Sequence, residues 1–260
     1  ALVRVNQDPV SVEDGGSPRS TLEIVSDDLP FLVDSFKMTL DRLGISCHAM
    51  VHPVLSVTRS AQGELQSLPG PVKESMMWME IERQSPESAE ALVSAVRSTL
   101  EDVRVSVEDW QGMRDRMMEV AQIAAGQIVS NGEIEPSEAH DFLNWAADNH
   151  FTFLGFREYR LSGSGAGESL EPVSGSGLGL LRDGHHSAGP RPVNTLGRKN
   201  SPRQELLILT KTAARATVHR STYMDYIGVL RYDADGKAVG EYRFIGLYTT
   251  SAYNRRPREI

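Results

Sequence analysis

Residues 21–36 read TLEIVSDDLPFLVDSF, and this stretch joins a strand pattern to a helix pattern through a short acidic turn. Its first part, 21–25, alternates apolar and polar side chains with the period of two that is typical of a β-strand. From Leu32 onward, apolar residues recur at intervals of four, four and three, on one face of a helix that Gly44 would end. The stretch therefore predicts a strand, a tight turn and an amphipathic helix.

The flanking patterns extend this beginning into a larger unit. Residues 45–59 are apolar and β-branched, residues 61–64 have the composition of a hairpin turn, and apolar residues alternate again over 77–81. Ser85 before a proline then predicts the start of a second helix. The order strand, helix, strand, strand, helix, strand over residues 1–110 predicts an α+β domain of the ferredoxin-like type, βαββαβ, with two helices on one face of an antiparallel sheet.

The last strand of that order is ambiguous. Val103, Val105 and Val107 alternate as a strand does, but Val103, Val107 and Trp110 also continue the helical spacing of the preceding segment. Both interpretations stay open, and we favour the strand.

The remainder of the chain predicts a change of architecture. Residues 111–150 carry helical apolar stripes and are interpreted as a helical connector, and residues 151–260 are interpreted as a mostly antiparallel β domain. Within that domain, residues 162–202 are rich in Gly, Ser and Pro and predict a loop. Residues 233–236, DADG, predict a hairpin turn.

Composition excludes several classes of partner. The 260 residues carry a formal net charge of −8, so there is no basic field for a nucleic acid or an anionic membrane. The single cysteine, Cys47, cannot form an internal disulfide and is expected to be a small buried residue of a cytoplasmic protein. We find no signal peptide and no membrane-spanning stretch, and we interpret the chain as a piece of a longer one.

Glycine and histidine motifs give no cofactor or metal site. The segments GSGAG (163–167) and GSGLG (175–179) are not followed by a helix pattern, as a phosphate-binding loop requires, and we interpret them as linkers. The pair His185-His186 lacks further ligands at metal-binding spacing. His48 and His52 would share one partly covered face of a strand.

The late β segment contains the candidates for an enzymatic site. Asp225 and Glu241 could form a pair of carboxylates, although exposed acids are common on hairpin strands. The least favoured of our hypotheses is an enzyme that uses Asp225, His219 and Lys211, and it requires these groups to converge in one pocket.

The acidic turn at 26–31 is the stronger candidate site, and two interpretations stay open. In one, Ser26, Asp27 or Asp28 caps a helix that begins near Pro30. In the other, the turn binds a small effector, whose carboxylate meets free N–H groups at the helix start while an Asp takes its ammonium group. The residues of that effector turn would be Asp27, Asp28, Leu29, Phe31 and Leu32.

The turn resembles the ligand turn of ACT-like regulatory domains, in which an Asp is followed by Pro-Gly and two aliphatic residues. Here Phe31 stands where the glycine is usual. Almost the whole chain further resembles the N-terminal region of the large bacterial NAD-dependent glutamate dehydrogenases. The matching blocks are DDLPFLVDS (27–35), HPVLSV with a later Gly-Glu-Leu (52–65), VEDW (107–110), FTFLGFREYRL (151–161), TVHRSTYMDYIGV (217–229) and FIGLYTTSAYNRRPREI (244–260).

This resemblance implies an ACT-like module at 1–110 and a PAS-like module at 151–260. It implies a parent enzyme that converts glutamate to 2-oxoglutarate with NAD, and whose substrate lysine and dinucleotide fingerprint have no counterpart here. The chain is then expected to be a non-catalytic regulatory or assembly segment without a cofactor of its own. Its partners would be the rest of the parent chain, further copies in a homo-oligomer and an amino-acid effector; the alternative is a free-standing amino-acid sensor.

Overall fold

A computed structural model describes residues 1–10, 18–128, 134–163, 169–185 and 205–253. The chain divides into two units. The first comprises residues 1–104 together with 217–220, and the second comprises residues 105–216 and 221–260.

The first unit is built on one antiparallel sheet. Its elements follow one another as β1 (Leu2–Val10), β2 (Arg19–Asp27), α1 (Leu32–Leu43), β3 (Cys47–Val51), β4 (Val54–Arg59), β5 (Leu65–Glu82) and α2 (Pro86–Glu108), of which residues 105–108 belong to the second unit. The five described strands have the order β1-β2-β5-β3, and β4 also pairs with β5. The chain is thus a mixed α and β protein, as predicted.

The core of the first unit comes from the predicted alternation and periodicity. The strands contribute buried residues at every second position, since alternate side chains of a strand face the same side. The two helices contribute one stripe each, at spacings of three and four. These residues are Leu22, Ile24, Met77, Met79 and Ile81 of the strands, and Phe36, Leu40, Leu92, Val96 and Leu100 of the helices. Trp78, between two buried methionines, is partly covered.

The predicted strand at 103–107 is wrong. Helix α2 continues without a break to Glu108, and Val103 and Val105 are both buried. Val103 follows Leu100 and Val96 at helical spacing, so this apolar stripe keeps the segment helical. The edge of the sheet beside β2 is occupied by β1.

Two predicted turns are confirmed. At 60–64, the N–H of Ser60 donates to the carbonyl of Glu64 at 2.9 Å, and Gly63 takes the positive φ of 84°. At 233–237, the N–H of Asp233 donates to the carbonyl of Lys237 at 2.9 Å. In both turns a glycine supplies the left-handed conformation that side chains disfavour.

The second unit contains two helices and a second antiparallel sheet. Its elements are α3 (Trp110–Ala125), α4 (Pro136–Trp145), a π-helical turn (Ala146–His150), β6 (Phe151–Ser162), β7 (Ser169–Pro172), β8 (Leu178–Gly179), β9 (Leu207–Arg215), β10 (Tyr223–Tyr232), β11 (Ala238–Tyr248) and a 3-10 turn (Thr250–Tyr253). The six described strands have the order β7-β6-β11-β10-β9, and β8 pairs with β6.

One face of this sheet packs on α3 and α4. Met113, Met117 and Val120 of α3 share a core with Leu143 of α4 and with strand residues that include Phe153, Phe156, Ile227, Tyr242 and Phe244. The helices that the sequence suggested as a connector therefore form a layer of the second unit.

The predicted loop at 162–202 is wrong in part. Residues 169–172 form β7 and residues 178–179 form β8, both paired with β6. These strands are too short to show a clear alternation, and their Gly and Ser content hid them. Residues 164–168 and 186–202 of the predicted loop, most of GSGAG among them, lie outside the described residues.

Candidate functional site

The acidic turn lies where the sequence placed it, between β2 and α1. Asp27 is the last residue of β2, and its Oδ2 lies 3.3 Å from Nη2 of Arg104. The N–H of Asp28 donates to the carbonyl of Lys73 at 3.3 Å. Both acidic side chains are exposed, and Leu29 is half-buried.

The predicted Asp cap is wrong. Helix α1 begins at Leu32, its N-cap is Phe31, and no described side chain accepts a hydrogen bond from its first N–H groups. Sheet pairing continues through Asp27, so the chain needs residues 28–31 to turn and the acidic residues come too early to reach the helix start.

Phe31 has an unusual backbone conformation at this position. Its φ of 71° lies in the left-handed region, which costs a side chain about 1–2 kcal/mol and which glycine adopts freely. The half-buried ring of Phe31 packs against the imidazole of His219, with ring centroids 4.9 Å apart. A ring therefore occupies the space beside the helix start.

His219 is the residue of this site that sequence reasoning missed. It has a positive φ of 73°, its N–H donates to Oγ of Ser35 at 3.1 Å, and its Nδ1 lies 3.9 Å from Oδ2 of Asp34. Burial, with the nearby Arg220 cation, lowers the pKa of His219, while Asp34 opposes this shift. Two residues before His219, Thr217 donates to Asp102 at 2.6 Å. The hydrogen bond between His219 and Ser35 joins residues that are 184 positions apart, and no local sequence pattern indicates it.

The candidates for an enzymatic site are divided. Nζ of Lys211 lies 2.5 Å from Oδ1 of Asp225, and the N–H of Tyr248 donates to Oδ2 of Asp225 at 3.0 Å. Both residues belong to the second unit, whereas His219 belongs to the first, where it contacts Phe31. The partners of Asp225 are thus Lys211 and the backbone of Tyr248, and no contact between Asp225 and His219 is found among the described residues.

The suggested pair of carboxylates does not form. Asp225 is opposite Gly246 and Glu241 is opposite Leu230, so the two acids lie at different positions of the β10 and β11 pair. The expectation that they are exposed is also wrong, because Asp225 is 4% exposed and Glu241 is fully buried. Glu241 instead accepts a hydrogen bond from the hydroxyl of Tyr226 and one from Nε of Arg243. These polar partners permit its burial.

Burial also determines the chemistry of Tyr226. It raises the pKa of the phenol far above its usual range, so the hydroxyl stays protonated and donates to Glu241. Arg243 lies across the rings of Tyr159 and Tyr226, with its Cζ 4.0 and 5.2 Å from the two centroids.

The remaining sequence candidates are scattered. Cys47 is exposed, contrary to the expectation of a buried residue, because it begins β3 at the edge of the sheet. His48 lies on the same strand, and His52 follows that strand and contacts Oγ of Ser75 through Nε2 at 2.7 Å. Among the described residues, no three His, Cys, Asp or Glu side chains are placed to hold a metal ion. No described helix is long and apolar enough to cross a membrane.

Comparison with known proteins finds glutamate dehydrogenases. Residues 1–96 match the family model for the ACT1 domain of glutamate dehydrogenase. The chain is 33% identical over 258 residues to the NAD-specific glutamate dehydrogenase of Halomonas elongata, and 34% identical over 254 residues to that of Pseudomonas aeruginosa. It is 29% identical over 253 residues to the NAD-specific glutamate dehydrogenase of Mycobacterium tuberculosis.

The matches cover most of this chain and a small part of each relative. They span 94% of the chain and 16% of the first two enzymes, and 92% of the chain and 14% of the third. The sequence-based resemblance is confirmed: residues 1–96 match the ACT1 domain of glutamate dehydrogenase, and the chain is similar to one part of the NAD-specific enzymes.

Proposed function

We propose that this chain is a regulatory and assembly segment of a large, cytoplasmic, NAD-dependent glutamate dehydrogenase, and that other parts of the parent chain carry NAD and the chemistry. The observation that carries the proposal is the coverage, since nearly all of the chain matches only 14–16% of each relative. An ACT1 domain at residues 1–96 supports a regulatory role.

The finer architecture is part of the proposal. Residues 1–110 form an ACT-like module of ferredoxin-like type, in which β1 takes the sheet edge next to β2. Residues 111–150 lie between it and a PAS-like module at 151–260, on whose sheet α3 and α4 pack. The sheet order of the first unit and the packing of α3 and α4 on the second sheet support this assignment.

Enzyme assays of the purified chain test the non-catalytic role. We expect no glutamate-dependent formation of NADH and no saturable quenching of tryptophan fluorescence by NAD. A parent dehydrogenase that lacks the segment should keep the glutamate reaction but change its subunit number or its response to metabolites. Turnover by the pure chain would contradict the proposal.

A second candidate function is an amino-acid sensor at the turn formed by Asp27, Asp28, Leu29, Phe31 and Leu32. It is favoured by the first N–H groups of α1, which receive no side-chain cap from the described residues, and by the exposure of Asp28. The ring of Phe31 restricts this site to ligands that displace it from His219. Calorimetry with a panel of amino acids, on the natural chain and on Asp28→Ala, tests it. Binding that the substitution abolishes would establish the sensor.

The proposed homo-oligomer has support in the hairpin of β4 and β5. Leu65, Leu68 and Val72 lie on the first half of β5 and are 53%, 56% and 47% exposed. Large exposed apolar surfaces mark protein contact sites. We infer that this part of the hairpin contacts a second copy of the chain.

A further inference from the structure

A buried guanidinium group lies on the second sheet. Tyr242 and Phe244 of β11 point into the core that contains α3 and α4. Because alternate side chains of a strand face opposite sides, Arg243 lies on the other face of the sheet. It is fully buried there, which is rare for an arginine and requires partners for its charge.

The hydrogen bonds of Arg243 satisfy only one of its three nitrogens. Nε donates to the hydroxyl of Tyr226 at 3.0 Å and to Oε1 of Glu241 at 3.2 Å. Nη1 and Nη2 are buried, and no acceptor among the described residues lies within hydrogen-bonding distance of either. Each unmet donor on a charged group is costly, so the free half of the guanidinium requires an acceptor.

Two further unpaired polar atoms accompany it. Oε2 of Glu241 is buried without a donor among the described residues. Arg157 is directly opposite Arg243 on β6, and its Nε is buried without an acceptor. Like charges on directly opposed residues of an antiparallel pair repel each other. The face therefore carries surplus cationic donors and one free carboxylate oxygen.

We propose that this face binds a small α-amino acid, whose carboxylate accepts hydrogen bonds from Nη1 and Nη2 of Arg243 and whose ammonium group donates to Oε2 of Glu241. The parallel N–H groups of an arginine fork match the two oxygens of a carboxylate. The rings of Tyr159 and Tyr226 hold the fork in place. The ligand thus supplies both the acceptor and the donor that this face lacks.

Residues 180–183 cover part of the same face. Leu181 and Ile245 both lie close to Gly155, and the carbonyl of Leu181 accepts a hydrogen bond from Nη1 of Arg157 at 3.3 Å. Arg157 also forms an ion pair with Asp183. Since the site is fully buried, ligand entry requires this segment to move, and the ligand must be small.

The test is ligand binding by the 260-residue chain, with glycine and L-alanine as probes, and it does not depend on the proposed dehydrogenase parent. We expect both to raise the thermal unfolding temperature saturably and to bind in calorimetry. Propionate, which matches L-alanine without the ammonium group, should bind about tenfold more weakly, as expected for one lost charged hydrogen bond.

Three variants separate the site from its surroundings. Arg243→Lys keeps the charge but loses the fork, and it should weaken L-alanine at least about tenfold. Glu241→Gln should weaken L-alanine and leave propionate unchanged. Arg231→Lys is the matched control, because Arg231 lies over Tyr242 on the other face and pairs with Glu158; its affinity for L-alanine should be that of the natural chain.

Each contrary outcome overturns the proposal. Binding of no probe would mean that water meets the free groups of Arg243. A rise of the thermal unfolding temperature with sodium chloride equal to that with L-alanine would mean a general effect of anions. Full retention of L-alanine affinity in Arg243→Lys, or in Glu241→Gln if the first variant does not fold, would place the ligand elsewhere.

Discussion

The ring of Phe31 packs against the imidazole of His219 at a centroid distance of 4.9 Å, and both residues have positive φ angles. Two side chains in the left-handed region that face each other are unusual, since each costs about 1–2 kcal/mol relative to an ordinary conformation. The contacts around them must outweigh this cost. The start of α1 is therefore maintained by strained residues where a glycine would be strain-free.

The first prediction separates the backbone cost of Phe31 from its ring contact. Phe31→Gly and Phe31→Ala both remove the ring, but only glycine adopts a φ of 71° freely. After allowance for the greater freedom of an unfolded glycine, Phe31→Gly should be more stable than Phe31→Ala by about 0.5–1 kcal/mol. Urea unfolding of both variants measures this, and equal stabilities would contradict the strain.

The second prediction concerns pH. Burial lowers the folded-state pKa of His219 below its unfolded value of about 6.5. As the pH falls through 6.5, the unfolded chain binds a proton before the folded chain does, so stability is full above that pH and declines below it. Asp34 and Arg220 face the imidazole and modulate the size of the effect.

The variant His219→Asn provides the comparison, because asparagine tolerates a positive φ and does not titrate. Urea unfolding above and below pH 6.5 should show a steeper loss on acidification in the natural chain than in His219→Asn. All other titrating groups are common to both proteins. Parallel pH profiles would mean that His219 does not contribute.

The third prediction concerns Asp109, which holds the chain after β8. Its carboxylate accepts from the N–H of Gly179 at 2.7 Å and from Nε and Nη2 of Arg182 at 3.0 and 2.8 Å. Asp109→Ala leaves the N–H of Gly179 and Nε of Arg182 without this acceptor, and leaves Nη2 of Arg182 with Glu108 alone. The substitution should cost about 2 kcal/mol of unfolding free energy. Glu108→Ala is the control, since Glu108 is half-exposed, lies 3.3 Å from Arg182 and should cost under about 1 kcal/mol. Chemical denaturation that ranks the two alike would be inconsistent with this role.

The fourth prediction distinguishes the observed turn from the expected one. If Asp28 capped the helix, its replacement by alanine would lower the free energy of unfolding by about 1 kcal/mol. Because Asp28 is exposed and the N-cap of α1 is Phe31, Asp28→Ala should change stability by less than about 0.5 kcal/mol. A loss of about 1 kcal/mol in urea unfolding would show instead that Asp28 caps α1.

Local patterns predicted most of the first unit. Alternation identified β2 and the second half of β5, and the spacing of Phe36 and Leu40 identified α1. The pattern failed at Val103 and Val107, which fit a period of two and of 3.6 equally well. The segment is helical because its apolar stripe is buried along α2, and burial depends on the rest of the fold.

The candidate sites were harder to predict for a different reason. Glu241 and Arg243 are charged residues on a hairpin strand, where exposure is the normal outcome, and only the folded sheet shows that both are buried. The contact of Phe31 with His219 depends on residues far apart in the chain. The acidic turn was located correctly, but the extra pairing of Asp27 in β2 changed which residue begins the helix.

The last prediction tests assembly through the β4 and β5 hairpin. Leu65, Leu68 and Val72 are exposed, so replacing all three with serine should leave the unfolding free energy nearly unchanged. If the hairpin contacts a second copy, the loss of this apolar surface should weaken self-association at least about tenfold, as for the central residues of an interface. Sedimentation over a range of concentrations measures it. Leu209→Ser, an equally exposed apolar residue of the second unit, is the control and should associate like the natural chain. A natural chain that stays monomeric, or a triple variant that associates as before, would show that the hairpin does not join copies of the chain.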